Sequence, residues 1–268
     1  MSEERNQSSE RASRVRAQFG PVAADYGTSE VHAAGESLSV LLRAIQPSGG
    51  SLLDVATGAG HTALAFAPSV DRVTATDITN EMLEETRRLA ADRGVNNLET
   101  RMASAEQLPF EDESFDYATC RLAAHHFDDY AGAIGEMARV VRSGGLIGFT
   151  DNVTVEDEPA VAYYNRFELL RDPSHNRVLS EDALRFLFEA PPPAGAGLEI
   201  TLYRRLSKEF EFHSWADRQR VSKEDKARLQ EMMREAPPAL EPLFRPRWED
   251  GTMYFHLWEA VIVARRRS

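Results

Sequence analysis

Cysteine is nearly absent from this chain of 268 residues. The single thiol, Cys120, can form no internal disulfide and no all-cysteine metal site. Lysine is scarce as well: Lys208, Lys223 and Lys226 are the only three, and arginine carries the rest of the positive charge. Even so, 31 Lys and Arg face 43 Asp and Glu, for a formal net charge of −12. Gripping nucleic acid or an anionic membrane takes a basic field, and this balance argues against both. No apolar run approaches the roughly 20 residues of a membrane helix. The opening MSEERNQSSERASRVR lacks the apolar stretch of a secretory signal, so the expected location is the cytoplasm. No internal repeat and no domain-separating linker is visible. With 42% apolar residues, the length suits one large α/β domain or two small ones. Residues 1–18 read as a disordered lead-in and 19–268 as a single domain.

Within that domain strands and helices alternate. Leu38, Leu41, Leu42 and Ile45 fall at helical spacing and predict a helix over about 29–46, ended by Pro47-Ser48-Gly49-Gly50. The apolar run 51–56 predicts a buried strand that feeds the turn Thr57-Gly58-Ala59-Gly60, and a helix follows up to Pro68. A strand at 72–77 leads to a helix capped by Asn80 and closed by Gly94. Strands at about 98–102 and 115–120 come next, then a helix capped by Asp128 or Asp129 and ended by Ser143-Gly144-Gly145, then a strand at 146–151. This alternation predicts a parallel sheet with helices on both faces. Residues 153–190 and 207–240 read as helical additions on the substrate side, with a strand at 198–206 between them and a long apolar strand at the C-terminus.

The glycine turn carries the strongest local signal. Glycines at a strand-to-helix turn let a ligand approach the backbone, and the helix start presents free N–H groups. Asp77 ends the next strand, 17 residues after Gly60, where an acid can accept both hydroxyls of an adenosine ribose. Turn and acid together indicate an adenosine-containing cofactor without saying which. Asp54 just before the glycines suits a cationic sulfonium donor better than a pyrophosphate; it would support the turn or face the cation. Ala63 stands where a third dinucleotide-binding glycine would be, which also favours the methyl donor over NAD(P).

Four ordered motifs make a resemblance specific: LLDVATGAGHTAL, VTATDIT, SAEQLPFEDESFDYATCRLAAHHF and MARVVRSGGLIGFTDN. Together they resemble the class I S-adenosylmethionine-dependent methyltransferases, in the small-molecule branch that includes the ubiquinone and menaquinone C-methyltransferases. The resemblance implies a Rossmann-like three-layer α/β sandwich. Its sheet would be mostly parallel and seven-stranded, with an antiparallel C-terminal strand and a helical insertion after strand five. It implies S-adenosylmethionine as cofactor, with S-adenosylhomocysteine as product. Gly58 and Gly60, with Ala56, should pass under its methionine end and Tyr26 should lie near its carboxylate. Asp77 should hold the ribose, Ile78 and Met82 should pack on the adenine, and Ala105 and Glu106 should read the adenine edge. Arg121 and Leu122 should line the site near the methyl group. Many relatives have Gly-Asp-Ala where this chain has Ala103-Ser104-Ala105, so Ser104 stands in for an acid that would accept from the adenine amino group.

Methyl transfer is an in-line displacement, and a base is needed only if the nucleophile keeps its proton. His125 and His126 follow the strand at 115–120, at the sheet edge where α/β proteins place ligands. Either could face substrate, or pack and cap the next helix. Asp151 and Asn152 end the strand at 146–151 and could bind or deprotonate the acceptor, or cap the insertion helix. Tyr163 and Phe167 are core or pocket aromatics, and Asp172 and His175 in RDPSH are lid candidates. No metal is expected, since adjacent histidines point apart and no partner lies at i+4. The expected acceptor is a small neutral or cationic, partly apolar molecule. An RNA methyltransferase, a non-catalytic cofactor-binding module and a nicotinamide oxidoreductase are the competing readings.

Overall fold

The structure, a computed structural model, describes residues 12–27, 35–190 and 195–267. Most of the expected lead-in, positions 29–34 of the first expected helix and positions 191–194 lie outside the described residues.

The sheet is built from β1 (Ser51–Val55), β2 (Arg72–Asp77), β3 (Leu98–Met102), β4 (Phe115–Arg121), β5 (Val141–Thr154), β6 (Leu179–Ser180), β7 (Glu199–Glu211), β8 (Arg247–Glu249) and β9 (Thr252–Arg265). Its main path runs β3-β2-β1-β4-β5-β9-β7, with the short β6 paired to β5 and β8 to β9. The pairings from β3 to β5 are parallel, and β9 lies antiparallel between β5 and β7. The fold is therefore the mostly parallel seven-stranded sheet with an antiparallel C-terminal strand, extended by two short strands.

The apolar strands read as near-continuous runs because both faces are covered. Successive side chains point to opposite sides of a strand. Leu52, Val73, Val261 and Val263 pack with Leu41 and Ile45 of the helix Glu36–Ile45. Leu53, Ile147, Phe149, Ala260 and Ile262 pack on the other face with Ile134 and Met137 of the helix Tyr130–Val140. Among the described residues no helix is long and apolar enough to cross a membrane.

Several local expectations shift. Residues 12–19 are helical, and Val15 is buried, so this part of the expected lead-in is folded onto the domain. The helix Asn80–Asp92 is capped by Thr79, while Asn80 donates outward to Glu84 Oε1 at 2.7 Å. β5 begins at Val141, and Gly144 and Gly145 fall where its register on β4 shifts between Phe115 and Tyr117. β7 runs on to Glu211 because residues 207–211 pair with β9, so the second addition turns helical only at Phe212.

Candidate active site

Strand order reverses between β1 and β4, which opens a crevice at the carboxyl ends of the strands. A cavity of about 510 Å³ occupies it. Pockets for organic ligands span roughly 300–1,000 Å³. Two non-glycine residues are held in the left-handed backbone region at its floor, Ala56 (φ +52°) after β1 and Leu122 (φ +57°) after β4. Each costs about 1–2 kcal/mol, strain of the kind that clusters at ligand sites.

The glycine turn owes its shape to two buried acids. Asp54 accepts from Thr57 Oγ1 (2.6 Å), Thr119 Oγ1 (2.7 Å) and the Ala63 N–H (3.2 Å). It is 1% exposed and does not line the cavity, so of the two roles expected it supports the turn and does not face a cation. Burial pushes its pKa up against these hydrogen bonds. Asp77 accepts from the Gly58 N–H (2.9 Å) and the Thr79 N–H (2.8 Å) and does line the cavity. Burial raises its pKa too. The Thr79 hydroxyl and the Ile78 N–H also act on this carboxylate and lower its pKa against burial.

The two turn glycines differ. Gly58 lines the cavity at φ +55°, and a Cβ there would meet no protein atom within 4 Å. At Gly60 (φ +84°) a Cβ would sit 2.6 Å from Thr86 Cγ2. Gly60 thus lets the turn pack on the Asn80–Asp92 helix and is not itself part of the lining.

Ile78, Met82, Ser104, Ala105 and Glu106 line the same end as Asp77. The Ser104 hydroxyl donates to Glu106 Oε2, and Glu106 Oε1 accepts the Asp128 N–H at 3.0 Å. Arg121 and Leu122 line the middle, where Arg121 Nε donates to Thr62 Oγ1 at 3.0 Å.

Parallel pairing of β4 and β5 brings the expected catalytic residues together. His125 Nδ1 donates to Asp151 Oδ1 at 2.6 Å, and the His125 N–H donates to Asp151 Oδ2 at 2.9 Å. Asp151 is fully buried behind the histidine and does not line the cavity, whereas His125, His126 and Asn152 do. Burial alone would lower the His125 pKa, but the Asp151 charge and hydrogen bond outweigh it and raise it. His126 is the reverse case: burial, and the positive charge His125 carries when protonated, pull its pKa down to about 4. Its Nδ1 donates to the Ser174 carbonyl at 3.2 Å, and its ring lies edge-on to Phe19.

Four expected substrate-side residues lie outside the cavity lining. Phe167 is a core residue stacked on Trp215, with centroids 5.4 Å apart. Tyr163 donates its hydroxyl to the Met232 carbonyl at 2.8 Å, tying the insertion to the helix Lys223–Arg234. Asp172 is turned to its own loop, accepting from the Ser174 N–H (2.8 Å) and Oγ (2.5 Å). His175 Nε2 meets Asn165 Oδ1 at 2.9 Å. Those two hold the 172–176 turn against the histidines, where the Asn176 N–H donates to the His125 carbonyl at 2.8 Å.

The roof combines the segment 19–26 that the resemblance places over the cofactor with residues of the expected lead-in. Val15, Arg16 and Phe19 reach over from the N-terminal helix. Tyr26 lines the cavity and accepts from Gln219 Nε2 at 3.2 Å, and its own carbonyl accepts from His61 Nε2 at 2.8 Å. Arg171, Trp215, Arg218, Lys208 and Glu259 form the far wall. Lys208 Nζ sits 2.5 Å from Glu259 Oε1. Among the described residues no group of three or more His, Cys, Asp and Glu is arranged to hold a metal ion.

Known proteins share this fold. The methyltransferase domain family, Methyltransf_11, matches residues 53–149, the stretch from the glycine turn to β5. The uncharacterized methyltransferase YcgJ of Bacillus subtilis is 39% identical over 173 residues, covering 64% of this chain and 68% of YcgJ. Its crystal structure superposes with a TM-score of 0.79 over 87% of this chain and 98% of that one. This chain belongs to the class I S-adenosylmethionine-dependent methyltransferases. The ubiquinone/menaquinone biosynthesis C-methyltransferase UbiE of Rickettsia massiliae is 32% identical over 158 residues, 56% of this chain and 64% of UbiE.

The residues present fit the family's cofactor. Gly58 leaves room beside the backbone that a Cβ would fill, and Asp77 presents a buried carboxylate to the same cavity. That donor set suits a ribose diol beside an exposed turn.

Proposed function

We propose that this methyltransferase acts on a hydroxyl oxygen or an acidic carbon of a small acceptor with an apolar body, and that His125 is the base. The continuous cavity supports the reading: it runs from Asp77 and Gly58 at one end, past Arg121 and Leu122, to the His125–Asp151 pair. S-adenosylmethionine, when bound, supplies an electrophilic methyl group on a sulfonium whose sulfur departs as a neutral thioether.

In this reading Asp77 holds the ribose, the Gly58 turn lies under the amino-acid portion, and Ile78 and Met82 flank the adenine. Asp151 fixes the His125 tautomer, because Nδ1–H donates to the carboxylate and Nε2 keeps its lone pair. Nε2 then takes the acceptor proton as the new bond to the methyl carbon forms, and Asp151 stabilises the resulting imidazolium. His126 stays neutral at physiological pH, so the site gathers no second positive charge there. Phe19, Tyr26 and Trp215 exclude water, which aligns the reactants and preserves the sulfonium. A net charge of −12 opposes RNA as the acceptor.

The test is S-adenosylhomocysteine release from S-adenosylmethionine across a panel of phenols, enols and aromatic acids. Acceptor-dependent release with at least one phenol or enol is the expected result. Tight cofactor binding with no release on the whole panel contradicts it.

A further inference from the structure

The far wall of the cavity holds an arrangement that methyl transfer itself does not use. Arg171 and Arg218 both line the end away from the Asp77 pocket, although the chain as a whole is strongly acidic. Arg171 is anchored: its guanidinium lies 4.3 Å over the Trp215 ring and contacts the Trp215 carbonyl at 3.3 and 3.4 Å. Glu168 answers its charge in part, with an oxygen 3.7 Å from Arg171 Nη1.

Among the described residues Arg218 has no such answer. Its Nε is buried with no hydrogen-bond partner, and its guanidinium lies 5.3 Å over the Phe210 ring. Burial and the neighbouring Arg171 cation both lower its pKa; only the Tyr26 hydroxyl acts in the opposite sense. A guanidinium taken from water, set beside a second cation and given no carboxylate is costly unless something negative completes the site. Phe210, Trp215 and Leu257 supply apolar wall there, beside Gln219, whose amide donates to Tyr26. Lys208 adds little field, since Glu259 neutralises it.

Resting on the methyltransferase reading, we infer that Arg218, supported by Arg171, binds an oxyanion of the acceptor, a carboxylate or phosphate carried on an apolar or aromatic body. Planar guanidinium groups match such groups in a two-pronged geometry. The acceptor would lie with its anionic end on Arg218 and its apolar body against Phe210 and Trp215. Its reacting atom would then point back toward His125. The sign of charge recognised is opposite to that expected from the chain's net charge, because overall charge does not describe the few groups inside a cavity.

The probes are benzoate, phenyl phosphate and uncharged benzamide, each titrated calorimetrically into the full chain with and without saturating S-adenosylhomocysteine. At least one anion should bind about tenfold more tightly than benzamide. Arg218→Met should abolish that preference and raise the melting temperature of the ligand-free protein, because an unanswered buried cation is gone. Arg218→Lys should keep part of the preference. Equal binding of the anions and benzamide to the wild type, or a preference that survives in Arg218→Met, overturns the inference. So does an Arg218→Met protein that loses affinity for S-adenosylhomocysteine while binding 5′-methylthioadenosine normally. The guanidinium would then serve the cofactor's own carboxylate. Failure of S-adenosylhomocysteine to bind the wild type would instead count against the cofactor assignment, while the titrations without it still decide the anion site.

Discussion

Replacing His125 with alanine is expected to lower kcat by about 10²–10⁴-fold, the usual contribution of a positioned base. Affinity for S-adenosylhomocysteine should be nearly unchanged, since His125 lies across the cavity from the Asp77 pocket that would hold ribose and adenine. Asp151→Asn separates the base from its support. The Asp151 charge raises the His125 pKa above its ordinary 6.5. A base must be neutral to act, so wild-type activity should fall as pH drops through that raised value, with the acid limb above pH 6.5. Asparagine removes the charge, and burial then pulls the histidine down. The acid limb should therefore move to lower pH while the plateau rate drops, because the imidazolium formed in the reaction loses its counter-ion. A limb that stays in place in Asp151→Asn would show that another group titrates. A merely structural role for Asp151 would lower the rate at all pH values without moving the limb.

The second large effect is at the glycine turn. Gly58→Val should reduce S-adenosylhomocysteine affinity by more than about 100-fold, a loss near 2.7 kcal/mol. A Cβ at Gly58 meets no protein atom within 4 Å, so the added side chain enters the cavity and spares the core. The left-handed backbone adds strain of about 1–2 kcal/mol for an L-residue, enough to lower the melting temperature and too little to unfold the domain. Gly60→Val is the control. Its Cβ would collide with Thr86 at 2.6 Å, so it should damage folding first. Calorimetry with thermal melts separates the two. A Gly58→Val protein that binds like wild type would mean that nothing passes close over this turn.

The parts of this site readable from sequence were those whose physics is local. The turn at 57–60 needs glycines within four residues, and Asp77 ends the next apolar strand, so both stand out in a short window. The role of Asp54 was open for the opposite reason. Its partner Thr119 lies 65 residues away on β4, and only the β1–β4 pairing brings them to 2.7 Å. His125 and Asp151 were each recognisable at a strand end, but their 2.6 Å contact depends on β4 and β5 being neighbours. Aromatic spacing in the insertion could not separate Phe167, buried on Trp215, from a pocket residue, because Trp215 is 48 positions further on.

Of the roof, Tyr26 was expected beside the cofactor from the family resemblance and does line the cavity, but the helix at 12–19 was not legible, for a similar reason. Residues 12–19 carry only Val15 and Phe19 as sizeable apolar groups, and their helix docks through Phe19 on His126 and Tyr26. Glu259 did leave a trace, being the one acid in the apolar run 253–264, and its pairing with Lys208 follows from β7 lying beside β9. Arg171 stood out only as part of the RDPSH lid segment, and Arg218 only as one residue of the 207–240 addition; that both guanidinium groups line the cavity follows from the assembled fold.

A crystal structure of the complex with S-adenosylhomocysteine tests the central assignment most directly. The account predicts both ribose hydroxyls within about 2.6–3.2 Å of the Asp77 carboxylate, the amino-acid portion over Gly58, and the sulfur facing the His125 side of the cavity. A ligand seated elsewhere, with the Asp77 carboxylate bonded to protein groups alone, would contradict it.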